Sequence, residues 1–171
     1  MSDQTYPTYD RLIALLDEKG ARYRVIEHPP EGRTEVIGAI RGNPLSQSAK
    51  CIIVMLKIDK KTTRFVLVVV PGDARVDFDA LKTLYGAAHC SFASVENAEK
   101  FGGSVVGTIL PFTFHPDLEL VADPRILETT EIFFNAARLD RSLCLATEDY
   151  KAIAAPRVAR VAQAAAPKEG S

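Results

Sequence analysis

Hydrophobic residues recur along the chain at two spacings, and each spacing predicts a type of secondary structure. Apolar positions at helical spacing, together with start and stop signals, predict helices over residues 9–19, 35–41, 78–85 and 95–101. Thr34 is placed to cap the second of these helices and Ser94 to cap the fourth, and a glycine follows each segment. A further helix is expected from about residue 148, and Pro156 is placed to begin another one.

Runs rich in valine, isoleucine and aromatic residues predict the strands. Residues 51–58 and 65–70 flank a short polar linker and therefore predict a central hairpin. Because both runs are almost continuously apolar, we expect helices to cover the sheet on both faces. Shorter strands are predicted over residues 22–27, 89–92, 118–121, 131–135 and 142–146. With no internal repeat, this pattern predicts one domain that mixes α and β elements.

Composition narrows the picture without assigning a function. The 171 residues contain 21 Lys and Arg against 22 Asp and Glu, so any contact with RNA would need a local basic patch. The first residues do not resemble a secretion signal, and no window reaches the ~18 apolar residues of a membrane helix. Three widely spaced cysteines in apolar surroundings indicate reduced thiols in a core. We therefore expect a cytoplasmic protein that makes no membrane contact.

Several kinds of catalytic site are missing from the sequence. There is no P-loop and no G-x-S-x-G motif, and the glycine-rich residues 102–107 lack a following lysine. The histidines His28, His89 and His115 stand far apart, none at a metal-ligand spacing, so we expect no metal and no cofactor. Cys51 follows Lys50, but adjacent side chains of a strand point to opposite faces, so the lysine should not activate the thiol.

Lys50 stands at the start of a strongly apolar strand, where a charged side chain is costly unless it has a partner or a function. Its ammonium group either reaches solvent past the strand edge or serves a site. The hydrophobic pattern alone favours the first interpretation.

Three segments, taken in order, resemble the YbaK family of aminoacyl-tRNA editing domains, which are related to the insertion domain of bacterial prolyl-tRNA synthetase. They are residues 32–35 leading to Ser48-Ala49-Lys50, residues 107–112 (GTILPF) and residues 131–137 (EIFFNAA). The similarity extends from about residue 11 to residue 156. Residues 111–116 (PFTFHP) and 120–124 (LVADP) are most similar to the free-standing branch that clears serine and threonine from mischarged tRNA.

The resemblance implies a fold and an activity. The fold is a single α/β (mixed α+β) domain over residues 1–171, with a core at about residues 9–156, a central, mostly antiparallel mixed sheet covered by helices, and a helical C-terminal extension. The activity is trans-editing, in which the ester of mischarged tRNA is hydrolysed, with seryl- or threonyl-tRNA favoured and alanyl-tRNA a further substrate. The implied partners are the 3′ end of aminoacyl-tRNA and an aminoacyl-tRNA synthetase or elongation factor.

Two alternatives to an enzyme remain open at this point. The near-neutral charge and the lack of a conventional catalytic group also fit a module that binds a tRNA end or a nucleotide without chemistry. The lack of a tRNA-binding appendage also fits an interaction subunit that docks on a synthetase.

The resemblance further implies which residues form the site. Lys50 matches the lysine on which the family's activity depends, and its compact ammonium can anchor substrate oxygens. The family's G-x-x-x-P loop is matched by Gly107, Thr108, Ile109, Leu110 and Pro111. This loop is expected to orient the substrate carbonyl and water, because glycine permits close approach and proline stiffens the backbone. The ribose 2′-hydroxyl of the substrate would assist proton transfer.

Three more polar residues match family positions near the substrate. Asn135 and Ser142 match pocket positions that could sense the amino acid, since a site built to bind a hydroxyl rejects an analogue without one. An equal alternative for Asn135 is a bond to nearby backbone. Thr34 matches a threonine at the pocket mouth, although helix capping would explain it as well. The pair Ala136-Ala137 stands where many relatives carry glycine, and its methyl groups are expected to narrow the pocket.

Overall fold

The computed structural model describes residues 5–163. Its helices are α1 (Pro7–Glu18), α2 (Thr34–Arg41), α3 (Phe78–Tyr85), α4 (Val95–Gly102) and α5 (Thr147–Ala154). Its strands are β1 (Tyr23–Glu27), β2 (Ala49–Lys57), β3 (Thr63–Pro71), β4 (His89–Phe92), β5 (Leu118–Ala122), β6 (Glu131–Arg138), β7 (Arg141–Ala146) and β8 (Arg157–Val158). Across these described residues, none of the helices has the length and apolar character needed to span a membrane.

The strands form two sheets. Five of them are arranged in the order β4-β2-β3-β5-β8, and three in the order β1-β7-β6. The predicted hairpin is present, since β2 and β3 pair antiparallel along their whole length. Because β5 runs parallel to β3, and β8 parallel to β5, the large sheet is mixed. The expected fold class is confirmed, but the sequence did not predict that β1, β6 and β7 form a sheet of their own.

The large sheet separates two hydrophobic clusters. Every residue of β3 from Val66 to Val70 is buried, so successive side chains enter opposite clusters. One cluster joins residues of both sheets to α1, α4 and α5, and the other lies against α3 and includes Val161. The expected burial of both faces is therefore confirmed for β3. On the other face the expectation holds only in part, because the small sheet covers the large one together with α1, α4 and α5.

The cap of α2 differs from the expectation. Thr34 is the first helical residue, Arg33 takes the N-cap position, and no side chain caps the helix. The predicted capping role of Thr34 is therefore wrong. Ser94, in contrast, accepts a hydrogen bond from the amide of Asn97 and caps α4 as predicted.

The helix predicted to begin at Pro156 is also wrong as far as residue 163. The segment is extended there, with β8 pairing to β5 and Ala162 bridging to Val76. The physical reason is Asp123, a buried carboxylate that accepts hydrogen bonds from the amides of Val161 and Ala162 at 3.0 and 2.9 Å. In a helix these amides would donate to carbonyls four residues earlier, and the buried carboxylate of Asp123 would lose both donors. The rest of the alanine-rich end, and with it the helical extension, lies outside the described residues.

Two features bring the sheets together beside a small cavity. Ser48, just before β2, forms a parallel bridge with Phe133 of β6. The pairing of β6 with β7 is then interrupted between Asn135 and Arg138 by a β-bulge. Inside the bulge, the amide of Ala137 donates to the carbonyl of Thr108 at 3.1 Å. The bulge therefore ties the small sheet to the loop that follows α4.

Candidate active site

A cavity of about 60 Å³ lies where α2, the start of β2, the loop after α4 and β6 meet. The residues predicted from the sequence that line it are Thr34, Lys50, Gly107, Ile109 and Asn135. They come from four separate segments of the chain, and the fold brings them to one place. We refer to this space as the small cavity.

The other predicted residues lie behind its wall. Thr108 is fully buried, and its hydroxyl donates to the carbonyl of Val105 at 2.6 Å. Leu110 packs in the core, and the carbonyl of Pro111 accepts a hydrogen bond from the Tyr150 hydroxyl at 2.8 Å. In the loop from Gly107 to Pro111, therefore, the first and third residues face the small cavity and the other three anchor the loop from behind.

Gly107 occupies a position that requires glycine. Its φ of 95° lies in a region that residues with a side chain rarely adopt. A Cβ atom there would lie 3.0 Å from both the Cα and the carbonyl oxygen of Gly32. Because these contacts are with backbone, the neighbouring segment could not yield by a simple side-chain rotation. The two glycines therefore allow two backbone segments to touch at the cavity.

Gly107 and Ile109, the two residues of the loop that line the cavity, have backbone amides that are not used by any other described residue. The amide of Thr108 donates to the carbonyl of Val105 at 3.0 Å and closes a turn. Among residues 5–163, the amides of Gly107 and Ile109 on either side of it have no hydrogen-bond acceptor. Paired N–H groups of this kind can hold a carbonyl oxygen as it gains negative charge.

Lys50 is half-buried at the same cavity. Burial lowers the pKa of its ammonium, Glu35 and Asp73 act to raise that pKa, and Arg75 acts to lower it. Within the described part of the chain, the ammonium forms neither a hydrogen bond nor an ion pair. A partly desolvated charge without a fixed partner is suited to binding an oxygen of a ligand.

The thiols are not candidates for the nucleophile. Cys51 packs with the core between the sheets, and burial raises the pKa of its thiol far above the usual range. Burial also raises the pKa of Cys90 to about 11 and, together with Glu131, that of Cys144 to about 12. All three cysteines are free, as expected. The thiols therefore stay protonated near neutral pH and act as packing groups.

The side-chain amide of Asn135 is fully engaged in hydrogen bonds to other groups of the protein. Its nitrogen donates to the carbonyls of Glu31 and Gly107, both at 2.9 Å, and its oxygen accepts from the hydroxyl of Ser142 at 2.9 Å. Both of its donors are used, so it has none left for a substrate hydroxyl. Of the two interpretations, the structure favours the bond to backbone. Asn135 holds the two glycine-containing segments against β6.

Arg41, which the sequence analysis missed, reaches the same cavity from the end of α2. Its guanidinium donates to Asn43 Oδ1, to Ser48 Oγ and to Ser142 Oγ, each at 3.0 Å. Burial lowers its pKa to about 10, and no carboxylate lies within ion-pair distance among the described residues. A basic residue in the last turn of a helix is ordinarily explained by the helix dipole. No signal in the sequence shows that this one points inward.

Ser142 links these groups, although it is fully buried and does not line the cavity. Its hydroxyl contacts Arg41 and Asn135, and it also lies 2.7 Å from Nε2 of His28. The chain of bonds therefore runs from His28 and Arg41 through Ser142 and Asn135 to the carbonyl of Gly107. We call it the loop-holding network, because its last member fixes the loop.

The remaining candidates lie away from the small cavity. His115 packs edge-to-face against Phe101 with ring centroids 4.8 Å apart, and its Nδ1 accepts a hydrogen bond from the amide of Asp117. Neither Ala136, which is in the core, nor Ala137 lines the small cavity, and Ala137 lines a neighbouring cavity instead. Ala137 also has a φ of 62°, a conformation that glycine adopts more easily. In residues 5–163, no three His, Cys, Asp or Glu side chains cluster as metal ligands.

Comparison with known proteins finds related sequences and structures. Residues 28–153 match the family described as the aminoacyl-tRNA editing domain. The chain is 41% identical over 152 residues to the multifunctional Ser/Thr-tRNA deacylase ProXp-y of Escherichia coli K12, which covers 88% of this chain and 90% of that protein.

More distant similarities extend to a larger protein and to a solved structure. The chain is 30% identical over 107 residues to a proline–tRNA ligase of Bacillus cytotoxicus, which covers 63% of this chain and 18% of the ligase. The crystal structure of the hypothetical protein APE2540 superposes with a TM-score of 0.80 at 21% identity, covering 90% of this chain and 99% of that one. This last likeness concerns the fold alone.

Proposed function

Because this chain belongs to the aminoacyl-tRNA editing domain family, we propose that it hydrolyses the ester bond of mischarged tRNA, with seryl- and threonyl-tRNA as its preferred substrates. The observation that carries the proposal is the small cavity, which is lined by a lysine that is unpaired within residues 5–163 and by two residues whose backbone amides are unused there. A module that only binds a tRNA end would not need donors arranged for a developing negative charge.

The reaction follows from the chemistry of the substrate. An aminoacyl ester is already activated, so a positioned water molecule can attack its carbonyl carbon without an exceptional nucleophile. The amides of Gly107 and Ile109 hold the carbonyl oxygen as it becomes negative, and the ammonium of Lys50 adds a compact positive charge. The tetrahedral intermediate then releases the ribose oxygen, which takes up a proton with help from the neighbouring 2′-hydroxyl. The products are the free amino acid and intact tRNA.

The size of the small cavity supports a small amino acid as the substrate. A volume of about 60 Å³ has room for a few non-hydrogen atoms, as in the side chains of serine, threonine and alanine. A bulky apolar side chain would need the wall formed by Ile109 and Phe134 to move. Close packing of such residues makes this movement costly.

Arg41 is the group best placed to recognise the substrate hydroxyl. A guanidinium has five N–H donors, and the three hydrogen bonds to Asn43, Ser48 and Ser142 leave donors free. Asn135, by contrast, has no donor left. We therefore assign hydroxyl sensing to Arg41, and the positioning of the loop to Asn135 and Ser142.

Direct measurement of ester loss tests the proposed function. Purified protein incubated with seryl-, threonyl- and alanyl-tRNA is expected to release the amino acid from the first two fastest and from alanyl-tRNA more slowly. Correctly charged tRNAs that carry large apolar amino acids serve as the control and should persist at the uncatalysed rate. Absence of turnover on all three substrates would contradict the proposal.

Delivery of the substrate by another protein is a further part of the proposal. The balance of 21 basic and 22 acidic residues gives no general attraction to RNA, which favours hand-over in the cytoplasm from an aminoacyl-tRNA synthetase or elongation factor. A KM for seryl-tRNA that falls when such a protein is added would support delivery. A KM that does not change with any of them would count against it.

A further inference from the structure

The small cavity leaves most of the substrate without a place to bind. Its volume of about 60 Å³ suits the aminoacyl group and is far too small for the nucleotides to which that group is attached. These nucleotides must therefore contact another part of the surface. Any subsite for them has to begin next to the small cavity.

A second, larger cavity lies in that position. It has a volume of about 550 Å³ and is lined by Tyr6, Pro7, Pro30, Arg138, Leu139 and Asp140, among others. This volume lies within the range of pockets that hold small organic ligands. We call it the tyrosine–arginine cavity.

The same three segments of the chain line both cavities, although no single residue lines both. Pro30, Val105 and Ala137 line the tyrosine–arginine cavity, while Gly32, Gly107 and Asn135 line the small cavity. Each residue of the first set stands two positions from its counterpart in the second. Because two residues of chain span at most roughly 7 Å, the linings of the two cavities lie within reach of one nucleotide and its aminoacyl group.

The chemistry of the tyrosine–arginine cavity suits a flat, uncharged ring. The guanidinium of Arg138 stacks over the ring of Tyr6, with its central carbon 3.8 Å from the ring centroid. Its charge is matched by Asp140, which accepts two hydrogen bonds from it at 2.9 and 3.1 Å. A phosphate would be repelled by this carboxylate. A nucleobase can stack on an aromatic ring or on a guanidinium plane, as bases of single-stranded RNA commonly do.

We propose that the tyrosine–arginine cavity binds a nucleobase of the CCA end of the substrate tRNA, stacked against Tyr6 and Arg138, while the aminoacyl group occupies the small cavity. The proposal rests on the proposed function, because it takes the substrate to be aminoacyl-tRNA. It adds a subsite that explains how a shallow reaction centre can hold a nucleic acid without a basic surface.

The variant Tyr6→Leu tests this subsite in two ways. Because stacking of one base contributes about 1–3 kcal/mol, kcat/KM for seryl-tRNA should fall by about 5- to 150-fold, mainly through KM. Calorimetric titration with the trinucleotide CpCpA, which needs no turnover, should show affinity lowered by a similar factor. Tyr6→Phe retains the ring and should recover most of both losses.

Tyr85 provides a matched control on α3. The guanidinium of Arg157 lies over its ring, with the central carbon 5.2 Å from the ring centroid. Tyr85 does not line either cavity. Tyr85→Leu should leave the KM for seryl-tRNA and the affinity for CpCpA unchanged, and thermal melting would confirm that each variant is folded. Equal CpCpA affinity of Tyr6→Leu and the unmodified protein, or no CpCpA binding at all, would overturn the subsite. Failure of the unmodified protein to hydrolyse any aminoacyl-tRNA would instead overturn the proposed function.

Discussion

At the scale of single residues, the candidate site depends on side chains whose charge is only partly compensated. Lys50 has no fixed partner among the described residues, and Arg41 binds three neutral oxygens and no carboxylate. Burial of such a charge destabilises a fold unless a ligand or a hydrogen-bond network compensates for the lost hydration. Their position at one cavity therefore indicates function more strongly than either residue does alone.

The pH dependence of activity should identify Lys50 as the charged group. If the ammonium form is active, hydrolysis falls as pH rises through the pKa of Lys50, which burial lowers from its usual value. Glu35 raises this pKa, so Glu35→Gln should move the fall to lower pH. Arg75 lowers it, so Arg75→Gln should move the fall to higher pH. Rates are corrected for spontaneous ester loss at each pH, and shifts in the same direction for both variants would contradict the assignment.

Substrate preference should reveal the role of Arg41. Arg41→Lys keeps a positive charge but loses the forked donors, so the ratio of kcat/KM for seryl-tRNA over alanyl-tRNA should fall by about tenfold or more. The ratio is informative because a general loss of folding would lower both values together. An unchanged ratio would remove Arg41 as the sensor of the hydroxyl.

At the scale of elements, local signals account for what the sequence predicted well. Asp77 and Ser94 precede α3 and α4 and accept capping hydrogen bonds, and each helix is followed by a glycine in the left-handed conformation. The hairpin of β2 and β3 could likewise be predicted, because its two apolar strands flank a short linker. Start and stop signals of this kind lie within a few residues of each element, so they can be recognised from the sequence without knowledge of the fold.

What the sequence did not predict depends on distant partners. The carboxylate of Asp123, about 40 residues before Val161, keeps the C-terminal segment extended where a helix was expected. The pairing of β1 with β7 joins parts of the chain more than 100 residues apart. The family resemblance located Lys50 and Gly107, but only the folded chain shows that Arg41 turns inward and that Asn135 holds the loop.

The β-bulge in β6 should respond oppositely to glycine at its two alanines. Ala137 has a φ of 62°, so Ala137→Gly relieves backbone strain and should stabilise the protein by up to about 1 kcal/mol. Ala136 is fully buried, and Ala136→Gly should destabilise the protein by about 1 kcal/mol or more through lost packing and added chain entropy. Chemical denaturation of the two variants checks this, and destabilisation of equal size in both would show that the bulge carries no strain.

At the scale of the whole molecule, the site exists because two sheets meet. Lys50 belongs to the five-stranded sheet and Asn135 to the three-stranded sheet, while the loop from Gly107 to Pro111 lies against both. The sheets share one hydrophobic cluster and are joined beside the cavity by the bridge between Ser48 and Phe133. The geometry of the site is therefore a property of the folded domain, which explains why no short motif describes it fully.

The central claim is that the lysine at the junction of the two sheets makes this protein a deacylase, and the most direct test is single-turnover hydrolysis of seryl-tRNA by Lys50→Ala. Removing one stabilising charge at the developing oxyanion should slow the reaction by about 100- to 1,000-fold. Lys57→Ala is the matched control, because Lys57 is the exposed lysine at the other end of β2. The account predicts that Lys57→Ala keeps the full rate while Lys50→Ala loses it in a folded protein, and an undiminished rate for Lys50→Ala would contradict it.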